Sequence, residues 1–138
     1  MSRLTKLLDG GLVQAERIGR ERHDHLAGEL GVGLTEALEH QGTLTATECA
    51  YALTSAGERQ LRALGLDLDA LRCGRRPFAR QCPDWTEGRP HLAGSLGAAL
   101  ADRLLELRWV KRLPNSRAVA VTPQGARELR SRFALALD

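Results

Sequence analysis

Two short stretches of this sequence carry side chains able to do chemistry. The first is His23-Asp24-His25, directly ahead of a Leu-Ala-Gly. The second is Cys82 and Asp84, followed by His91 ahead of another Leu-Ala-Gly. Imidazole, thiolate and carboxylate together are the donor set of Zn²⁺ and related soft divalent ions. His25, Cys82 and His91 are therefore the candidate metal ligands. His23, Asp84 and the aromatic side chains Phe78 and Trp85, set in an otherwise polar stretch, join them as candidates for a small-molecule effector site. A purely structural role is the stronger reading for the histidines, because both occupy the same place in a repeated motif and each could form a helix-start hydrogen bond. No phosphate loop, nucleophile elbow or carboxylate pair is present, so the chemistry reads as binding rather than catalysis.

The repeat decides which elements must bring these groups together. His25-Leu26-Ala27-Gly28-Glu29-Leu30-Gly31-Val32-Gly33-Leu34 returns 66 residues later as His91-Leu92-Ala93-Gly94-Ser95-Leu96-Gly97-Ala98-Ala99-Leu100, with seven of ten positions identical. Leu53-Thr54-Ser55-Ala56-Gly57 is echoed 68 residues later by Val121-Thr122-Pro123-Gln124-Gly125. Two matches in the same order mean one structural unit used twice.

Each unit reads as helix, hairpin, helix. A helix is expected from about Asp24, with Leu26, Leu30, Leu34 and Leu38 on one face, bent or split at Gly31-Val32-Gly33 and ended by Gln41-Gly42. Thr43-Leu44-Thr45 and Ala50 to Thr54 form a hairpin, and Thr54 or Ser55 caps a helix ending at Gly65. In the second unit Leu92, Leu96, Leu100, Leu104 and Leu107 make the stripe. Trp109 to Leu113 and Arg117 to Val121 make the hairpin, and Thr122 with Pro123 opens the last helix. The glycines at 28, 31, 94 and 97 clear one helix face for close packing. Residues 1–21 form an amphipathic helical lead-in, either covering the core or pairing with a second copy as a homodimer. The units span 22–66 and 91–138, and 67–90 is a basic connector that opens with a short helix-like stretch, Leu68 to Leu71, and is otherwise mostly loop.

Composition sets the outer bounds. The 138 residues are 43% hydrophobic and 27% charged, ordinary values for one globular domain or two small lobes. A net charge of +3 is compatible with DNA without arguing for it. Three cysteines without short paired spacing fit a reducing cytoplasm. Asp9-Gly10-Gly11 interrupts the N-terminal apolar run, and no stretch approaches the ~18 apolar residues of a membrane span, so neither export nor a membrane partner is expected.

The Cys82-Pro83-Asp84-Trp85-Thr86-Glu87 and Arg89-Pro90-His91-Leu92-Ala93-Gly94 strings, with Trp109-Val110 and Val121-Thr122-Pro123-Gln124-Gly125, resemble the C-terminal region of long ArsR-type bacterial transcriptional regulators. The resemblance covers about Arg20 to Phe133. It implies an α+β, mainly helical fold: a tandem pair of degenerate winged helix-turn-helix repeats forming a pseudo-dimer, without the group's N-terminal DNA-binding domain. It also implies a ligand-sensing or assembly module, binding a small effector or a metal between the repeats and acting on a regulator partner. The group carries Cys-x-Asp-His-Leu-Ala-Gly in the first repeat as well, whereas Arg22-His23-Asp24-His25 stands here, so one of two paired cysteines is replaced.

Direct DNA binding is the alternative, and a stand-alone binding protein or enzyme is a third. Between Gly31 and the first hairpin there is room for only a short reading helix, carrying Glu36 and Glu39 and no Lys or Arg; its counterpart offers Arg103 beside Asp102 and Glu106. Phosphates repel such surfaces. Any phosphate contact falls instead to Arg75, Arg76 and Arg80 of the connector and to Lys111, Arg112 and Arg117 of the second hairpin.

Overall fold

Both copies of His-Leu-Ala-Gly are strand endings that turn into helices. A computed structural model describes residues 19–22, 24–84 and 87–135. In it β1 (Arg20–Arg22) pairs antiparallel with β2 (His25–Ala27), and α1 (Gly28–His40) follows at once. β3 (Leu44–Ala46) and β4 (Tyr51–Leu53) form a hairpin leading into α2 (Ser55–Leu64). After the short α3 (Leu68–Cys73), the same order returns: β5 (Arg80–Pro83), β6 (Pro90–Ala93), α4 (Gly94–Glu106), β7 (Val110–Arg112), β8 (Val119–Val121) and α5 (Pro123–Phe133).

This corrects the expected helix start. Leu26 and Leu92 share i+4 spacing with the helical leucines, yet each lies in a strand whose His, Leu and Ala are all buried. The change of direction falls on Gly28 and Gly94, whose φ values of 74° and 80° lie where an L side chain is strained. The connector holds its expected short helix, but the strand β5 stands where loop was expected. Residues 67–90 hold α3, capped by the Asp67 carboxylate on the Ala70 amide, and all of β5. The lead-in assigned to residues 1–21 ends in β1; its first 18 residues lie outside the described ones.

Other local signals act as their chemistry dictates. Thr54 and Thr122 cap α2 and α5 by accepting from the Gly57 and Gly125 amides, each at 2.9 Å. Gly65 closes α2 in the left-handed region. α1 runs unbroken through Gly31-Val32-Gly33.

The two halves exchange edges. Glu21 N donates to Arg117 O at 2.9 Å and Val119 N to Gly19 O at 3.0 Å, tying β1 to the β8 edge. In the same pattern Gln81 N donates to Cys49 O at 3.2 Å and Tyr51 N to Ala79 O at 3.1 Å, tying β5 to the β4 edge. β2 packs on α4, β6 on α1, and the two strands on each other. One core runs through both halves, from Leu26, Leu30, Leu34 and Leu38 to Leu96, Leu100, Leu104 and Phe133. Among the described residues, no helix is long and apolar enough to cross a membrane.

Candidate functional site

The repeat brings its two histidines together at the middle of this seam. In the β1–β2 register Arg22 faces His25, and in the β5–β6 register Cys82 faces His91. Packing β2 against β6 sets the imidazoles 4.9 Å apart between ring centres, with His25 Nε2 and His91 Nε2 separated by 3.0 Å. Both side chains are buried, His91 completely. Cys82 Sγ completes a group whose donor atoms lie within 4.8 Å of one another.

A carboxylate stands behind each ring. Asp84, itself buried, takes His91 Nδ1 at 3.0 Å and the Gly28 amide at 2.8 Å on Oδ2, while Oδ1 accepts from Glu87 N at 3.2 Å. The N-terminus of α1 is thus capped by a carboxylate from the other half, in place of a side chain of its own N-cap Ala27. Asp24 Oδ1 lies 3.4 Å from His25 Nδ1, and its Oδ2 pairs with Arg76 at 2.7 Å. The Arg76 hydrogen bond holds the Asp24 carboxyl below its ordinary value. Burial, reinforced by nearby His25 and opposed by Asp84, pulls His91 down to about 4, so it is neutral at physiological pH. A carboxylate can only accept, so Nδ1 of His91 carries the proton and its Nε2 presents a lone pair toward His25.

Next to the cluster opens a pocket of about 390 Å³, whose lining includes His25, Cys82, Asp24, Arg22, Arg76 and Arg80. The expected metal set therefore converges, and Asp84 stands behind it. Phe78 is not among the residues lining this pocket. It packs on the core with the Arg72 guanidinium 4.8 Å above its ring, and its carbonyl accepts from Leu96 N at the start of α4. His23 and Trp85 lie outside the described residues. Of the six basic residues expected to meet phosphate, Arg76 is paired with Asp24. Arg112 is held bidentate by Glu21 at 2.6 and 3.2 Å. Arg75, Arg80, Lys111 and Arg117 are exposed.

Arg20, Arg22 and Thr35 were not anticipated. Arg20 reaches Asp84 at 3.8 Å, and Arg22 donates to Pro83 O at 2.8 Å. Thr35 Oγ1 accepts from Leu92 N at 2.9 Å, joining α1 to β6. A signal for Arg20 exists: Arg20-x-x-x-Asp24 and Arg80-x-x-x-Asp84 share spacing. Their separation differs from that of the histidines because the second hairpin has the longer loop.

The chain is 42% identical, over 106 residues, to the uncharacterized HTH-type transcriptional regulator YdfF of Bacillus subtilis (strain 168). The match takes in 77% of this chain and 47% of that protein, so the chain spans about half the length of the relative. No family model and no solved structure matches. What the comparison establishes is similarity to a helix-turn-helix transcriptional regulator across most of this chain.

Proposed function

We propose that the chain is a ligand-sensing or assembly module of an ArsR-type transcriptional regulator. In this reading its halves are degenerate winged-helix repeats packed as an internal pseudo-dimer, with a small effector or metal bound between them. Each half keeps a helix followed by a two-stranded wing, and a β-hairpin stands where the first helix of a helix-turn-helix would lie. The reciprocal edge bonds between halves support the pseudo-dimer, and the similarity to YdfF supports the regulatory setting.

The observation that carries this reading is where the helix ahead of each wing spends its surface. α1 buries Leu30, Leu34, Thr35 and Leu38 in the seam and leaves Glu36, Glu39 and His40 partly or fully exposed. On α4, Arg103 is committed to Leu64 O at 2.7 Å and to Glu106 at 3.3 Å. A DNA-reading helix presents Arg, Lys, Asn or Gln to base edges. These helices present carboxylates to solvent and give their other face to a buried, titratable cluster beside a pocket.

A mobility-shift assay of the 138-residue chain on the DNA upstream of its own gene, at two salt concentrations, tests the assignment. No shift is expected at either. A shift at low salt that disappears at high salt would overturn it in favour of phosphate contacts from the exposed Lys111 and Arg117.

A further inference from the structure

We infer that the effector of this site is a soft divalent metal ion of the Zn²⁺ type, held by His25 Nε2, His91 Nε2 and Cys82 Sγ. This deepens the sensing reading and rests on it. The inference starts from proton bookkeeping. Asp84 Oδ2 already accepts from Gly28 N and lies 3.0 Å from His91 Nδ1, which fixes the proton on that nitrogen. Asp24 Oδ1 faces His25 Nδ1 in the same way at 3.4 Å. When both carboxylates receive their protons, both Nε2 lone pairs point at one another across 3.0 Å.

Two lone pairs at that distance repel unless a proton or a metal ion lies between them. Moving a proton to His25 Nε2 relieves that contact but turns the Nδ1 lone pair onto the Asp24 carboxylate. A doubly protonated His25 would pair the same four groups but leave Cys82 Sγ without a role, whereas a metal ion engages all three donors of the group. In a tetrahedral site with Zn–N bonds of about 2.0–2.1 Å the two nitrogens stand roughly 3.3 Å apart, a few tenths of an ångström from the observed separation. Carboxylates receiving the outer N–H of metal-bound imidazoles are the usual support of such centres. Cys82 Sγ lies within 4.8 Å of a ring nitrogen of each histidine and otherwise makes a long contact of 3.8 Å to the Pro83 carbonyl.

The site is one-sided. Arg22 occupies in β1 the place that Cys82 occupies in β5, each across from its histidine. The seam therefore offers three protein donors to one ion rather than a second thiolate. His25 and Cys82 also line the pocket with Arg22, Arg76 and Arg80, so water or an anion from the pocket could complete the coordination. The thiolate, Asp24 and Asp84 set three negative charges against the two of the ion.

Cobalt replaces zinc in such sites and reports its ligands. On adding Co²⁺ to the metal-free full chain, we expect one ion per chain, tetrahedral visible bands and a near-ultraviolet thiolate-to-cobalt transition. Cys82→Ser should abolish the thiolate transition while its far-ultraviolet circular dichroism stays native. Asp84→Asn should weaken binding 10–100-fold, as loss of a supporting carboxylate does. Absence of the thiolate transition in the native protein, or its persistence in Cys82→Ser, would overturn the metal site. Because the native chain supplies the decisive spectrum, the outcome does not depend on any variant folding. A silent cobalt spectrum with no DNA shift would remove the metal and leave the sensing role intact, whereas a DNA shift would strike the sensing role itself.

Discussion

Asp84 and Asp24 occupy matching places, yet they carry unequal weight. The Asp84 side chain is buried and ties together Gly28 N, His91 Nδ1 and Glu87 N, whereas the Asp24 side chain is 43% exposed and shares its charge with Arg76. Asparagine at position 84 would turn an N–H toward one of these donors and leave a buried group unpaired, at a cost of about 1–3 kcal/mol. Asp24→Asn, at the surface, should stay within about 0.5 kcal/mol. Urea unfolding of the metal-free proteins measures both, and equal losses would show that the two carboxylates are not distinguished by burial. From composition alone these aspartates look alike. That His25, Cys82 and His91 would meet was legible, because they mark their places by repetition and by residue type. The supporting residues were hidden. Arg20, Arg22 and Thr35 act through strand register and helix packing, and neither leaves a trace in residue type.

At the scale of elements, glycine separates two kinds of position on one helix pattern. A Cβ on Gly97 would lie 2.7 Å from the Leu92 carbonyl oxygen and 3.0 Å from its carbon, while one on Gly33 would meet only Leu135 Cδ1 at 3.4 Å. Alanine normally stabilises a helix interior by up to ~1 kcal/mol relative to glycine. Gly33→Ala should follow that rule. Gly97→Ala should instead destabilise by about 1–3 kcal/mol, since backbone must move to admit the methyl group. Thermal melts of the pair test the contrast, and a stabilised Gly97→Ala would mean that α4 does not sit so closely on β6. The glycine pairs had suggested helix–helix contact. What closes on Gly97 is the carbonyl of its own preceding strand, with His25 of the other half behind it at 3.5 Å. The hairpins β3–β4 and β7–β8 and the threonine caps were readable because each signal is local. β1–β2 and β5–β6 were not, since a three-residue strand next to a leucine stripe extends the helical spacing by coincidence.

The whole molecule is held by exchange between its halves. β1 leans on β8, β5 on β4, Asp84 caps α1, and Thr35 binds the Leu92 amide. Separated from the other, each half would lose bonds along a sheet edge, and the first would also lose the carboxylate that caps α1. Unpaired backbone groups and an uncovered leucine face would then oppose folding of either half alone. The chain should therefore unfold in a single cooperative step, with circular dichroism and tryptophan fluorescence tracing the same curve in urea. Two separated transitions would mean that each half has its own sufficient core and that the seam is an interface between independent lobes. The distinction bears on sensing. A ligand at His25 and His91 touches both halves, so in a single cooperative unit its binding free energy stabilises the entire fold. Between independent lobes it would do no more than fasten one to the other.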